Sequence, residues 1–267
     1  MFATRILSAL VKLCFPAESR VPRASLVTTT RQIALPLLHG TALLFVLGAT
    51  LCSVAAAQTA NYVGALSTLP ITPVLGSGIA VDRDGNIYIC DESSNQVFKE
   101  TLAGGVYTPS VVPVIGLVEP IAIAVDLGGS LYVADKTGNA VYRVFVSGAG
   151  YAQQTIGTGL NSPYGVAVDR GRNVYIADYG NRRVLKEAWH EGGSYVQSVL
   201  ASETNNETYH PQGIAVDFNF NVYFTLISGG LVEKLTYSEG TYTQSTIVSG
   251  LERAEALAVD MPGNVYI

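Results

Sequence analysis

Three groups of residues in this chain are of types that could do chemistry: clustered acids, two histidines, and aromatic and basic side chains at regular spacing. Asp82, Asp84 and Asn86 spell D-x-D-x-N, the opening of a calcium loop, but Ser93 stands at the twelfth position where a bidentate glutamate is needed, and the sixth is not glycine. The preferred reading is an Asx-turn, in which a carboxylate at a strand end accepts backbone N–H bonds. His190 and His210 are the histidines beyond residue 57, and a metal-dependent lyase or lactonase would need several metal-binding or acid–base groups gathered together. An enzyme using His210 with acidic loop residues is therefore the alternative, and the main expectation assigns no catalytic residue, no metal and no cofactor. G-x-S-x-G, H-E-x-x-H, paired C-x-x-C and phosphate-loop sequences are absent. Ligand contact is expected instead from Glu119, Lys136, Tyr164, Tyr179, Arg182, His210 and Gln212. Arg182 and Arg183 form an adjacent basic pair, read as a solvated strand end rather than an anion site.

Those seven residues become candidates through their place in a repeat. Asp82, Asp126, Asp169, Asp217 and Asp260 are spaced by 44, 43, 48 and 43 residues, each after a run such as GIAV, AIAV or GVAV. Six residues after each comes a tyrosine: Tyr88, Tyr132, Tyr175, Tyr223 and Tyr266. A second aspartate follows in three copies (Asp91, Asp135, Asp178), with Leu226 in that slot of the fourth. Next come a valine and, two further on, a base: Val97 and Lys99, Val141 and Arg143, Val184 and Lys186, Val232 and Lys234. A spacer tyrosine precedes each first aspartate, and in three copies it reads Tyr-x-Gln, with Gln153, Gln197 and Gln244. Such periodicity marks a repeat architecture.

Within a copy the pattern is strand and turn throughout. GIAVD and NIYIC alternate along their length yet are apolar on both faces, so both faces must be covered. Turn signals such as Asp84-Gly85-Asn86 and Gly104-Gly105 separate four short strands, near 79–82, 87–91, 96–101 and 106–112 in the first copy. Four strands per unit of about 40 to 50 residues, set radially, make an all-β fold, a β-propeller. Glycine and alanine in the first strand suit the crowding near the axis, and the repeated tyrosines are expected to fill the wedge between neighbouring blades. P-x-G-V-A-V-D, G-R-N-V-Y-I-A-D and N-R-R-V, from Pro163 to Val184, resemble the NHL repeat. That resemblance implies a propeller, commonly six-bladed, used for binding on its top surface. It leaves the activity open, because similar propellers serve as sensors, RNA binders and a lyase.

The units expected are 78–118, 121–160, 163–208, 211–250 and a partial one at 254–267, with a linker and a lone outer strand at Tyr62 within 58–77. Four complete blades and part of a fifth suggest a truncated product, or a ring completed by another chain. Residues 1–57 have a basic start, an apolar run, and Ala55 and Ala57 in a cleavage-like Ala-x-Ala, which reads as a helical leader: a signal peptide, or a membrane anchor if uncleaved. Five of the sixteen Lys and Arg residues lie before residue 32, leaving 11 bases against 20 acids beyond it. That acidic balance excludes a nucleic-acid backbone as partner. Cys90, the one cysteine of the repeats, occupies a slot held by Ala134 and Ala177 and is read as a small buried residue. The expected partner is a protein, peptide or glycan outside the cytoplasm, with the membrane involved only through the leader.

Overall fold

A computed structural model of the chain describes residues 76–148, 150–203 and 205–267. The leader or anchor expected over 1–57 and the strand at Tyr62 lie outside the described residues. Among the described residues no helix is long and apolar enough to cross a membrane.

The first sheet comprises β1 (Gly76–Val81), β2 (Ile87–Asp91), β3 (Gln96–Ala103) and β4 (Val106–Val112). The second is β5 (Pro120–Val125), β6 (Leu131–Asp135), β7 (Ala140–Ser147) and β8 (Gly150–Ile156). The third is β9 (Pro163–Val168), β10 (Val174–Asp178), β11 (Arg183–His190) and β12 (Ser194–Ser202). β13 (Pro211–Val216), β14 (Val222–Leu226), β15 (Leu231–Ser238) and β16 (Thr241–Val248) form the fourth, and β17 (Ala258–Val259) pairs with β18 (Val265–Tyr266). Every pairing is antiparallel between consecutive strands, and β1, β5, β9, β13 and β17 each lie beside the next in that order. The expected strand and turn order thus holds, with two single 3-10 turns added at Tyr179–Asn181 and Ile227–Gly229.

The core lies in the seams between sheets. Tyr88, Cys90 and Val97 meet Ile123, Leu131 and Val144 across the first seam. Tyr132, Ala134 and Val141 meet Val166, Ile176 and Leu185 across the second, and Tyr175, Ala177 and Val184 meet Ile214, Phe224 and Leu235 across the third. β6 and β10 are therefore enclosed by a neighbouring sheet on both faces, and IYICD, LYVAD, VYIAD and VYFTL are all buried along their whole length. Cys90 is fully enclosed, and burial pushes its thiol pKa up, so it is an inert packing residue as expected.

The Asx-turn expectation holds in detail. Asp169 Oδ1 accepts the N–H of Gly171 at 2.7 Å and of Asn173 at 2.9 Å, while its Oδ2 takes Asn173 Nδ2 at 2.8 Å and the Tyr175 hydroxyl at 3.0 Å. Tyr88, Tyr132, Tyr223 and Tyr266 donate in the same way to Asp82, Asp126, Asp217 and Asp260, so the six-residue spacing is a hydrogen-bond spacing. The register that opposes Tyr88 to Lys99, Tyr175 to Lys186 and Tyr223 to Lys234 sets each ammonium 5.2–5.8 Å from the ring centroid. The wedge-filling expectation needs one correction: Tyr88, Tyr132, Tyr175 and Tyr223 are buried, but spacer Tyr151 is 45% exposed. Spacer tyrosines instead contact the preceding sheet by their hydroxyls, Tyr195 to Tyr132 at 3.4 Å and Tyr242 to Tyr175 at 3.2 Å.

Candidate functional site

Antiparallel order places all first-aspartate turns at one end of the sheets, and the loops from second to third strand at the other. That second end holds the expected ligand contacts. The second aspartates organise it: fully buried Asp135 accepts the N–H of Val118 at 2.9 Å and of Glu119 at 2.8 Å, and Asp178 accepts that of Asn161 at 2.8 Å. Each carboxylate clamps the segment entering its own sheet against the loop that follows the second strand. Glu119 is thereby held beside Lys136, whose Nζ donates to Glu119 Oε1 at 2.7 Å, and the Thr137 hydroxyl donates to the other oxygen. The Lys136 and Thr137 bonds hold the Glu119 carboxyl below its ordinary pKa, and the Glu119 bond raises that of Lys136.

From that ion pair, on the second sheet, a row of rings runs over the third sheet to the fourth. Lys136 Nζ sits 5.2 Å from the Tyr164 ring centroid. The Tyr164 and Tyr179 centroids are 5.0 Å apart with planes at 40°, and Tyr179 stacks on His210 at 4.4 Å and 24°. Tyr164 is the second residue of β9, Tyr179 opens the turn after β10, and His210 immediately precedes β13. His210 Nδ1 is 3.1 Å from the Tyr179 carbonyl oxygen; a carbonyl only accepts, so Nδ1 carries the proton and Nε2 is left as the acceptor of the neutral ring.

Five of the seven expected residues, Glu119, Lys136, Tyr164, Tyr179 and His210, are thus brought together. Arg182, in left-handed backbone at φ 54°, pairs with Glu207 in the loop before His210. Gln212 is buried beneath this surface, its carbonyl packed against Gly165, and stays out of the row. The solvated-strand-end reading of Arg182 and Arg183 is corrected: Arg183 Nε pairs with buried Asp178 at 2.6 Å and its Nη2 donates to the Gly159 carbonyl at 2.9 Å. Thr137 lies in the loop 136–139 expected to face a ligand, whereas sequence reasoning missed Glu207, which occupies no repeated slot. Among the described residues no three His, Cys, Asp or Glu side chains converge as metal ligands.

Residues 160–186 match the family described as NHL repeat. No curated protein sequence matches the chain. Among solved structures it is similar to virginiamycin B lyase from Staphylococcus aureus, with a TM-score of 0.54 and 16% identity over 71% of this chain and 61% of the lyase. It is also similar to a chain of a nidogen/laminin complex, at TM-score 0.56 and 22% identity over 68% of this chain and 67% of that one. A gluconolactonase from Xanthomonas campestris aligns at TM-score 0.55 and 20% identity, over 70% of this chain and 66% of the enzyme. At these identities the likeness establishes the fold, a β-propeller, which two enzymes and a protein-binding complex share.

Proposed function

We propose that this NHL-type β-propeller is a binding module that works outside the cytoplasm, taking a protein, peptide or glycan ligand on the loops around Tyr179. The observation that carries the reading is the continuous row Lys136, Tyr164, Tyr179 and His210, to which three successive sheets each contribute. The rings support one another, and with His210 Nδ1 engaged by the Tyr179 carbonyl, Nε2 remains as a hydrogen-bonding edge. Lys136 and Arg182 are each paired with a carboxylate, which fixes their position before a ligand arrives and lowers the ordering cost of binding. The test is a screen of the full chain against immobilised glycans and displayed peptides, followed by Tyr179→Ala and His210→Ala. A ligand of this surface is expected to lose at least tenfold in affinity with either variant, whereas Val106→Ala, at a distant exposed strand position, should leave it unchanged. A ligand insensitive to both loop variants would overturn the assignment.

A second reading, a propeller lyase or lactonase, is favoured by one feature: His210 is held by a backbone carbonyl with Nε2 open, as a general base would be. It predicts turnover of a lactone or cyclic peptide ester that His210→Ala removes. Binding that survives saturation without turnover supports the first reading over the second.

A further inference from the structure

At the end of the sheets opposite His210, the exits of β9, β13 and β17 surround a cleft of about 150 Å³. Val168, Val216, Val259, Phe218 and Met261 make its lining apolar, and Arg170 is its one cation. Asp169, Asp217 and Asp260 also border it, but each carboxylate is consumed internally. Asp217, for instance, accepts from Asn219 N, Asn221 N, Asn221 Nδ2 and the Tyr223 hydroxyl at 2.8–3.1 Å.

Arg170 is held unusually firmly for an exposed arginine. Its Cζ lies 4.1 Å from the Phe218 ring centroid and 4.7 Å from that of Phe220, so two rings of the neighbouring sheet fix the guanidinium. No carboxylate among the described residues forms an ion pair with it. Phe220 reaches this place at φ 66°, a left-handed backbone that bulky residues avoid, in a slot filled by Gly85, Gly129 and Gly263 in other copies. Tyr237 braces the ring edge-on at 5.9 Å. A phenylalanine in left-handed backbone, in a slot that three of the five copies fill with glycine and the third copy with Arg172 at φ 65°, thus holds an unpaired guanidinium beside the cleft.

We infer that this cleft captures the carboxyl terminus of a partner polypeptide, its last side chain apolar and its α-carboxylate bound by Arg170. A cleft of this volume admits one side chain, and a planar guanidinium offers two parallel N–H bonds to a carboxylate. Fixing the fork in advance lowers the ordering cost of binding, and chain ends are an established class of recognition element. A densely anionic membrane suits the cleft less well than a single carboxylate, because Asp169, Asp217 and Asp260 border it and Arg170 is its one cation.

The probes are fluorescein-labelled pentapeptides ending in Leu, Val or Phe, each made as free acid and as amide, together with phosphatidylcholine–phosphatidylserine vesicles. Anisotropy with the full chain should show at least one acid binding tenfold or more tighter than its amide. Arg170→Gln should abolish that difference, and Phe220→Gly should weaken the acid several-fold while leaving Tm unchanged or higher, since it relieves the left-handed strain. Acid and amide binding alike, no peptide binding at all, or an acid preference indifferent to Arg170→Gln would each overturn the inference. Vesicle binding that Arg170→Gln removes, with no peptide bound, would reassign the cleft to lipid and overturn it equally.

Discussion

The first aspartate and its tyrosine show how one side chain can set a whole turn. Tyr175 is fully buried and its hydroxyl serves both Asp169 and Tyr242, so Tyr175→Phe strips a donor from the carboxylate and a partner from the next sheet. A loss of about 1–2 kcal/mol is expected in urea denaturation. Glu187 acts in the opposite sense. It is 2% exposed, Oε1 has no hydrogen-bond partner, and burial raises its pKa despite the opposing charge of Arg183. A carboxyl whose folded pKa exceeds its unfolded one contributes no penalty while protonated in both states. As pH rises from about 4.3 through the folded pKa it costs stability, about 1.4 kcal/mol per unit of elevation. Glu187→Gln should therefore flatten the decline of stability between pH 4 and 8, the two curves converging at acid pH; parallel curves would show that Glu187 ionises freely. The Asp-to-Tyr spacing was legible in the sequence, but its meaning was not. Periodicity says that two residues recur together, whereas a hydroxyl-to-carboxylate bond and an unpaired buried oxygen depend on which faces meet.

At the scale of elements, the outer strand of one sheet ties down the exit loop of the sheet before it. Gln153 on β8 accepts the N–H of Ile115 at 2.9 Å and donates to its carbonyl at 2.9 Å, so an amide side chain acts as one more backbone rung. Gln197 repeats half of this with Thr158 N at 2.8 Å, whereas Gln244 turns to Glu233 within its own sheet at 3.2 Å. Gln153→Ala should cost about 1 kcal/mol, a modest sum because the site is exposed to water. Gln153→Glu should be no better, since its carboxylate keeps the bond from Ile115 N but sets an oxygen against the Ile115 carbonyl. Denaturation midpoints of the three proteins decide this, and a Gln153→Glu midpoint at the parental value would refute the rung. The Tyr-x-Gln repeat was readable beforehand, though its target was not, because the target lies 38 residues away in a loop of no fixed sequence. The ring row at the other end was readable for the converse reason. Its members occupy loops or the strand ends beside them, which the strand order alone assigns to one end, so residues unrelated in sequence could be grouped without coordinates.

What joins the sheets into one molecule is the closeness of their innermost strands, and four residues before the first aspartate three of the five copies carry a glycine that permits it, the other two an alanine. A β-carbon on Gly78 would sit 2.8 Å from Ala122 Cα, one on Gly213 would sit 2.9 Å from the Glu255 carbonyl, and one on Gly165 would overlap the Gln212 carbonyl. The obstacle in each case is the backbone of the next sheet, which no rotamer change can move. Gly165→Ala must therefore part β9 from β13, and the cost is expected to reach about 1–3 kcal/mol or more. Gly150→Ala, at a strand position with open space around it, should stay within about 0.5 kcal/mol. In a stacked-repeat molecule the damage should also be local, because each sheet is stabilised by its immediate neighbours. Hydrogen exchange in Gly165→Ala should accelerate at Val166, Ile176 and Ile214, on the flanks of the disturbed seam, while Ile89 and Cys90 in the first sheet keep their protection. Equal acceleration at all five amides would mean that the sheets open as one cooperative body. In that case the row at His210 and the cleft at Arg170, at opposite ends of the third and fourth sheets, would share a single stability and could influence each other through it.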